Sequence, residues 1–571
     1  MKYIVLILLF FSCLACTSKK DSKLGQLNLA LTSNIPTLDP AVSYDTVSAE
    51  VVYQVYEALY EYDYLVRPYQ LKPLLAESFP KIENDGKKYT IKIKRGVFYH
   101  TNPAFKNERR EVVAQDFINQ IKRIAYKPTQ SNGWWLFSNK VKGLDEFREK
   151  TKDLKQFLNS EVSGLQAPDK YTLVIELKDI FPQLIHALAM AFTAPVATEV
   201  IQKYDNNLNL NTVGTGPYML KKWNPNNTLT LIRNPNYHVV KYPSDGDSVA
   251  HEKKLLKDAN KKLPFIEKIT FHIMKEAQTR WLNFLQGNID VITLSKDHFP
   301  LALNKSGGLK SEITEKNIRL EIAPTLTFWW LAFNMTDPLL GKNLLLRKAI
   351  AHAVDTNRYI KDFTNNIGLK ANSIFPPGII GYSPSTKTSF NADKNTAREL
   401  LKKAGFPNGE GLPVIQYDVR GASTVARQMG EFIQKELAEV GIKINVNTNS
   451  FSGFLNKART GQLQMWQGGW AMDYPDPENV VQLLTTKNHP PGPNSTYFSD
   501  PEVDKLYEKL SKTIDTNRQK ELTSEVEQII DQKLPWVMQY YTRNYILLHQ
   551  RVKNFRQSDL IRNYIKYLRV N

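Results

Sequence analysis

Apolar and polar residues alternate with a period of two over residues 26–30 (Gln-Leu-Asn-Leu-Ala) and again over 89–94 (Tyr-Thr-Ile-Lys-Ile-Lys). Successive side chains of a strand point to opposite faces, so each stretch predicts a strand with one buried face. Further along, the period lengthens. Over 396–404, Ala397, Leu400, Leu401 and Ala404 share one face at helical spacing, and Gly405 supplies the stop. The helical stripe returns over 429–440 with Phe432, Ile433, Leu437 and Val440, ends at Gly441, and gives way to alternation over 442–446 (Ile-Lys-Ile-Asn-Val). A helix running into a strand through a glycine is the unit of an α/β domain. One stretch has neither period: 241–262 is rich in Lys, Asp and Ser, holds Pro-Ser-Asp-Gly-Asp at 243–247, and reads as a surface loop with a short helix.

The first residues follow a different logic. Lys2, an apolar run over 4–11 and the small residues Ser12-Cys13-Leu14-Ala15 precede Cys16, which is the layout of a secretory signal peptide over 1–15. The run is too short for a permanent bilayer span, which needs roughly 20 apolar residues. A signal ending at cysteine resembles a bacterial lipobox, with Cys13 standing where leucine is usual, and it implies lipidation at Cys16 and a polar tether over 16–26. The alternative is an ordinary signal peptide with an unlipidated product. Both cysteines of the chain lie in this segment, so no internal disulfide is expected beyond it, and apolar cores must hold the fold. With 571 residues, 42% of them hydrophobic, the chain is long enough for two or three such cores.

Charge changes the picture less than its size suggests. The formal net charge is +18, which favours anionic surfaces through the long-range field. The positive residues are dispersed and no nucleic-acid-binding signature is present, so no nucleic-acid partner is expected. Enzyme motifs are also missing. There is no His-Glu-x-x-His, Gly-x-Ser-x-Gly or Gly-x4-Gly-Lys-Ser/Thr, and the nine histidines lack metal-site spacing, so neither catalysis, metal nor cofactor is expected.

A series of short blocks carries the functional signal. They are 36–40 (Pro-Thr-Leu-Asp-Pro), 75–79 (Leu-Ala-Glu-Ser-Phe) with Asp85-Gly86 and 89–96, 110–117, 213–218 (Val-Gly-Thr-Gly-Pro-Tyr), 233–237 (Arg-Asn-Pro-Asn-Tyr), Phe333-Asn334, 347–350, 353–355 and 470–477 (Trp-Ala-Met-Asp-Tyr-Pro-Asp-Pro). In this order they resemble the extracellular solute-binding proteins that serve ABC importers for peptides and nickel. Two departures are Thr-Asn-Pro after His100 and the longer 241–262 segment.

The resemblance implies an α/β, two-lobed periplasmic-binding-protein-like fold of class II type with an extra third domain. Lobe I would comprise 27–55, 205–295 and 538–571, the extra domain 56–204 and lobe II 296–537, with the hinge near 295 and 538. It implies a monomer at the extracytoplasmic or periplasmic face of the cell envelope, held to the membrane by its N-terminal lipid, taking a peptide ligand and passing it to an ABC permease and ATPase complex. Asp473 would pair with the peptide's ammonium, a charge-assisted bond strengthened in a closed cleft. Trp470 would form a cleft wall, and Tyr44 and Thr46 would flank an extended peptide. Where some relatives hold an arginine three residues before the motif tryptophan, this chain has Gln467, so peptide length does not transfer. Asp473 has an alternative reading as a turn residue beside Pro475 and Pro477, and Trp470 as ordinary core. Phe328-Trp329-Trp330 reads as a strand buried on both faces, and Trp134-Trp135 lies in a loop with no mechanism attached. The rival functions are a receptor for a nickel chelate, sugar or opine, a sensory lipoprotein, and an envelope enzyme acting on cell-wall peptide.

Overall fold

The alternation at the start of the chain forms β1 (Gln26–Leu31), whose Leu27, Leu29 and Leu31 are buried while the residues between them face outward. The computed structural model describes residues 25–571 apart from 107–108, 386–389, 422–423 and 491; the expected signal segment, Cys16 and the tether up to residue 24 lie outside the described residues. Beyond β1 the chain contributes β2 (Tyr218–Asn224), β3 (Thr228–Arg233), β4 (Lys268–Ile273), β5 (Val291–Thr293), β6 (Ile318–Phe333), β7 (Ile415–Val419), β8 (Ile444–Thr448), β9 (Met465–Ala471) and β10 (Trp536–His549). In space these run β8-β7-β9-β6-β10-β5-β1-β4-β3-β2, with Leu369–Lys370 added beside β10.

Two of these strands are far longer than the rest and belong to both ends of the sheet. β6 pairs with β10 over Ile318–Pro324 against Arg543–His549, loses register, and resumes over Phe328–Ala332 against Trp536–Tyr541. On the first stretch β10 also pairs with β5, which joins β1 and β4; on the second, β6 pairs with β9, which joins β7 and β8. Pro324 sits at the break, where the lack of an N–H interrupts the ladder at little further cost. Each end of the sheet has its own apolar core, one around Leu29, Leu231, Phe271 and Leu548, the other around Phe328, Ile350, Ile433, Met465 and Leu522. These are two lobes joined by two strands.

Helices cover the lobes. α1 (Thr46–Val55) starts at Asp45, whose carboxylate accepts from the Ser48 N–H at 2.8 Å. α2 (Ala114–Ala125) belongs to a third body, in which Lys81–Glu83, Lys88–Lys92, Thr172–Glu176 and Leu165–Asp169 form a separate four-stranded antiparallel sheet over a core of its own. α3 (Lys394–Lys403) and α4 (Thr424–Ala438) are the two periodic stretches read from sequence; α4 begins five residues earlier than its apolar stripe because its first turn, Val425 included, is mostly exposed and adds nothing to the buried face. Residues 241–262 close through a bridge between Lys241 and Lys262 and carry the short helix Ser248–Glu252. Among the described residues no helix is long and apolar enough to cross a membrane.

One buried ion pair fixes the third body to the start of the chain. Arg123 on α2 is fully buried and donates through both Nη atoms to Asp39, at 3.1 and 2.6 Å, and also to Gln120 and Asn206. Asp39 in turn accepts from the Ala41 N–H at 2.9 Å, which shapes the loop leading to Tyr44. Removing one partner of such a pair leaves a buried charge unmatched, at a cost of about 3–5 kcal/mol. Arg123→Met should therefore lower the denaturation midpoint by that stability difference, and adding Asp39→Asn should restore part of it; an unchanged midpoint in urea would remove this pair as the anchor of the loop.

Candidate functional site

The site is built where α1, the third body and the loop after β9 meet. Tyr44 lies just before the Asp45 cap, so its side chain leaves the chain at the mouth of α1. Its ring packs on Phe192 at 5.5 Å between centroids and on Trp135 at 6.4 Å. The loop bearing Trp135 is tied to the same region, because Ser131 Oγ donates to the Ala41 carbonyl and Asn132 Nδ2 to the Val42 carbonyl at 2.7 Å. Trp134, the other member of the pair, lies beneath the Arg148 guanidinium at 4.7 Å. The tryptophan pair thus gains a place: Trp135 and Tyr44 form one aromatic wall.

Across from this wall stands Asp473. The Tyr44 hydroxyl donates to Asp473 Oδ1 at 3.0 Å, joining residues 429 positions apart. Asn479 organises the rest. Its Oδ1 accepts both the Trp470 indole N–H at 3.0 Å and the Asp473 main-chain N–H at 3.1 Å, while its Nδ2 reaches Asp473 Oδ2 at 3.5 Å. Asn479 is itself fully buried, so the carboxylate and the indole are held by one rigid amide. Of the four residues expected from sequence, Tyr44, Trp470 and Asp473 come together; Thr46 is exposed in the first turn of α1, without a hydrogen bond to the other three.

Asp473 makes no ion pair among the described residues. Burial pushes its carboxyl up to about 6, against hydrogen bonds from Tyr44 and Asn479 and the more distant charge of Arg562, which favour the ionised form. The following residues carry the loop across the cleft. Tyr474 inserts into the third body's core, stacks on His186 at 5.7 Å and donates to Glu478 Oε2 at 2.6 Å, and Tyr507 donates to the other Glu478 oxygen. Burial and the Glu478 charge raise Asp476 to about 7. A second crossing is the Lys512–Asp179 ion pair at 2.8 Å. Lobe II and the third body thus touch through Tyr474 and through the Lys512–Asp179 pair, while Tyr44 stays exposed and Asp473 partly exposed.

Beside the same end of β9 the aromatic run divides between two faces. Phe328 and Trp330 are core, but Trp329 is only half-buried, which corrects the expectation of a strand buried on both faces: successive strand residues alternate, and its face meets the Arg420 guanidinium at 5.2 Å. Gly468 and Gly469 on β9 make this possible, since a Cβ at either would run into Trp330 or Trp329. Arg420 donates to the Gly469 carbonyl at 3.3 Å. Gln467 points away, donating to Tyr359 Oη at 2.8 Å and Gln539 Oε1 at 3.2 Å inside lobe II. Asn479, Trp135, Arg420 and Arg562 were not singled out for the site by sequence reasoning; a lone polar residue in a loop leaves no periodic mark.

A partly buried carboxylate beside aromatic side chains, with no ion-pairing cation among the described residues, has the chemistry to hold a cationic group. The chain is 26% identical over 517 residues to the glutathione-binding protein GsiB of Escherichia coli, covering 89% of this chain and 87% of the relative. Its fold matches DppA of Helicobacter pylori in complex with peptide STSA, an ABC transporter-associated periplasmic binding protein, with a TM-score of 0.75 at 22% identity over 95% of this chain and 98% of the other. It also matches the dipeptide-binding protein of Pseudoalteromonas sp. SM9913 in complex with Met-Leu, with a TM-score of 0.72 at 20% identity over 96% and 100% of the two chains. The family model described as bacterial extracellular solute-binding proteins, family 5 Middle, matches residues 70–491, and the chain belongs to that family.

Proposed function

We propose that this chain is the substrate-binding lipoprotein of an ABC importer, which captures short peptides between its lobes and hands them to a membrane permease and its ATPase. The observation that carries the reading is Asp473: a carboxylate withdrawn from water at the meeting point of two lobes and a third body, oriented by Tyr44 and Asn479, with no cation at ion-pair distance. A peptide's α-ammonium supplies the missing charge. The peptides in the related structures and the glutathione of the curated relatives support a ligand of this class. In this reading 56–204 form the extra domain, and the lobe boundaries expected at 295 and 538 move to the break in the ladder, so that 27–55, 205–324 and 543–571 form lobe I and 325–542 lobe II. The lobes rotate where the β6–β10 ladder loses register, at 324–328 and 541–543, rather than at 295 and 538. Lipid on Cys16 and a tether that ends ahead of Gly25, where the expected 16–26 would run into β1, keep a monomer at the extracytoplasmic surface.

Asp473→Asn keeps the shape of the side chain and removes its charge. A charge-assisted hydrogen bond contributes about 1.5–3 kcal/mol net, so affinity for a free tripeptide should fall on the order of 10- to 100-fold. Acetylating the peptide's amine should cost the wild type that much and the mutant little, because both changes remove one contact. Equal acetylation penalties in calorimetric titration would assign Asp473 to a structural turn and favour a ligand without a free amine.

The raised carboxyl of Asp473 gives opposite pH trends for stability and affinity. The folded protein holds this proton more tightly than the unfolded chain, whose aspartates titrate near 4, so the group costs stability as pH rises from about 4 to about 6. Peptide binding needs the ionised form, so affinity should fall roughly tenfold per unit as pH drops below about 6. Calorimetry across pH 4.5–7.5 in buffers of different ionisation heat reads the released proton, and Asp473→Asn should abolish the release. Closure is tested separately: small-angle scattering should give a smaller radius of gyration with saturating peptide, and an unchanged radius would reject the hinge.

A further inference from the structure

The chain enters the described fold at one end of the lobe I sheet. Gly25 donates to the Val570 carbonyl at 3.4 Å, and its own carbonyl accepts the N–H groups of Glu267 and Lys268 at 2.8 and 3.2 Å. The ladders carry this end sideways. Gln26 lies opposite Lys268, Lys268 opposite Ile232 and Arg233 opposite Tyr218, while Val552–Lys553 pairs with Arg569–Val570 beside Gly25. The starts of β1, β2 and β4, the end of β3 and residues 552–553 and 569–570 therefore share one pole of lobe I. The ligand site is at the other pole. β1 runs away from Gly25 for six residues, about 20 Å, before the loop that leads to Tyr44. α1 returns: it begins beside Tyr44, and the Val55 carbonyl at its far end accepts the Gly216 N–H at 2.9 Å, just ahead of β2. Its ten residues set the two ends about 15 Å apart.

The Gly25 pole carries an excess of cations. Its acids are already taken, Glu267 by Arg233 at 2.6 Å and Asp258 by Lys261 at 2.7 Å and Arg569 at 2.8 Å. Lys262, Lys268 and Lys553 are exposed and make no ion pair among the described residues. Between Arg233, Lys262 and Glu267 opens a recess of about 280 Å³, lined also by Pro235, Leu263 and Pro264. Like charges gathered on one face lack a complement, and a surface studded with phosphates supplies it.

The tether ends at this same pole. On the reading that Cys16 carries lipid, residues 16–24 reach at most about 30 Å when fully extended, so the bilayer is never far from these lysines. We propose that the Gly25 pole of lobe I is a docking face for anionic phospholipid, which rests the protein on the membrane with its peptide site turned outward. The electrostatic attraction fades within about 10 Å at 0.1 M salt. The lipid brings the face within that range, and Lys262, Lys268 and Lys553 set the orientation.

The test uses the chain from residue 16 with Cys16→Ser, which keeps every described residue and carries no lipid, so that failure of the docking face leaves the lipidation reading untouched. Flotation with vesicles of phosphatidylglycerol and phosphatidylcholine in equal parts, against phosphatidylcholine alone, reads attachment, and only the anionic vesicles should carry the protein. Each basic side chain near such a surface strengthens attachment about fivefold. Lys262→Gln, Lys268→Gln and Lys553→Gln together should therefore weaken it on the order of 10- to 100-fold, whereas the same loss of charge on lobe II, through Lys403→Gln, Lys509→Gln and Lys520→Gln, should change it little. If the first triple variant does not fold, Lys262→Gln alone replaces it, with the fivefold loss expected. Orientation is read from a polarity-sensitive dye on a single cysteine, since the sequence holds no cysteine after residue 16: at Asn236→Cys, beside the recess, its emission should rise on the anionic vesicles, and at Thr46→Cys it should stay unchanged. Flotation with phosphatidylcholine alone, no flotation with either vesicle, or equal losses in the two triple variants overturns the docking face. Wild type that binds soluble polyphosphate and does not float assigns the face to an anionic polymer and overturns the membrane assignment, and a dye at Thr46→Cys that responds as strongly as one at Asn236→Cys overturns the outward orientation.

Discussion

The pairing of β6 with β10 is the constraint on which the rest depends. Short strands of a few residues build each end of the sheet, but only these two run through both. They hold two separate cores at a fixed approach while leaving a gap in the ladder at 325–327. A continuous ladder would resist bending, and a flexible linker would give the lobes no defined partner face. In the proposed hinge motion, the broken ladder is where the lobes turn. Asp559, which accepts the Leu326 N–H beside the break, brings the C-terminal segment to it.

The chemistry of the cleft follows from where this joint lets the lobes meet. Asp473 is costly to keep away from water, and the structure offsets that cost with neutral donors, a tyrosine hydroxyl from one side and an asparagine amide from the other. Neutral donors orient a carboxylate without cancelling its charge, which remains available to a cation. The Tyr474 insertion and the Lys512–Asp179 pair draw the third body onto lobe II, so the third body acts as a wall of the site as well as an outer domain.

Sequence reasoning reached the elements with strong periodicity and stopped at contacts between distant segments. β1 and the stripes of α3 and α4 were legible because burial on one face imposes a pattern. The strand expected at 442–446 is instead Ile444–Thr448, since Ile442 is buried in the turn that follows α4 and belongs to the apolar set without being paired. Trp329 was misplaced because three consecutive aromatics hide the alternation of faces. Asp473, Trp470 and Tyr44 were found through resemblance, as no local pattern relates positions 44 and 473. Asn479 escaped because its contacts depend on what tertiary packing brings near a single polar side chain.

The chain combines a strongly basic whole with an acidic interior. Its net charge of +18 spreads a field that draws in anionic solutes, whereas Asp473, Glu50 and Asp559 line the space beside α1 with carboxyl groups. On the proposed function, arrival and lodging are therefore selected by different properties of a peptide: its total charge governs how often it reaches the mouth, and its contact with Asp473 how long it stays. Salt separates the two: at 0.1 M the screening length is about 10 Å, which quenches the outer field and slows capture, while a contact sealed inside a closed cleft keeps its lifetime.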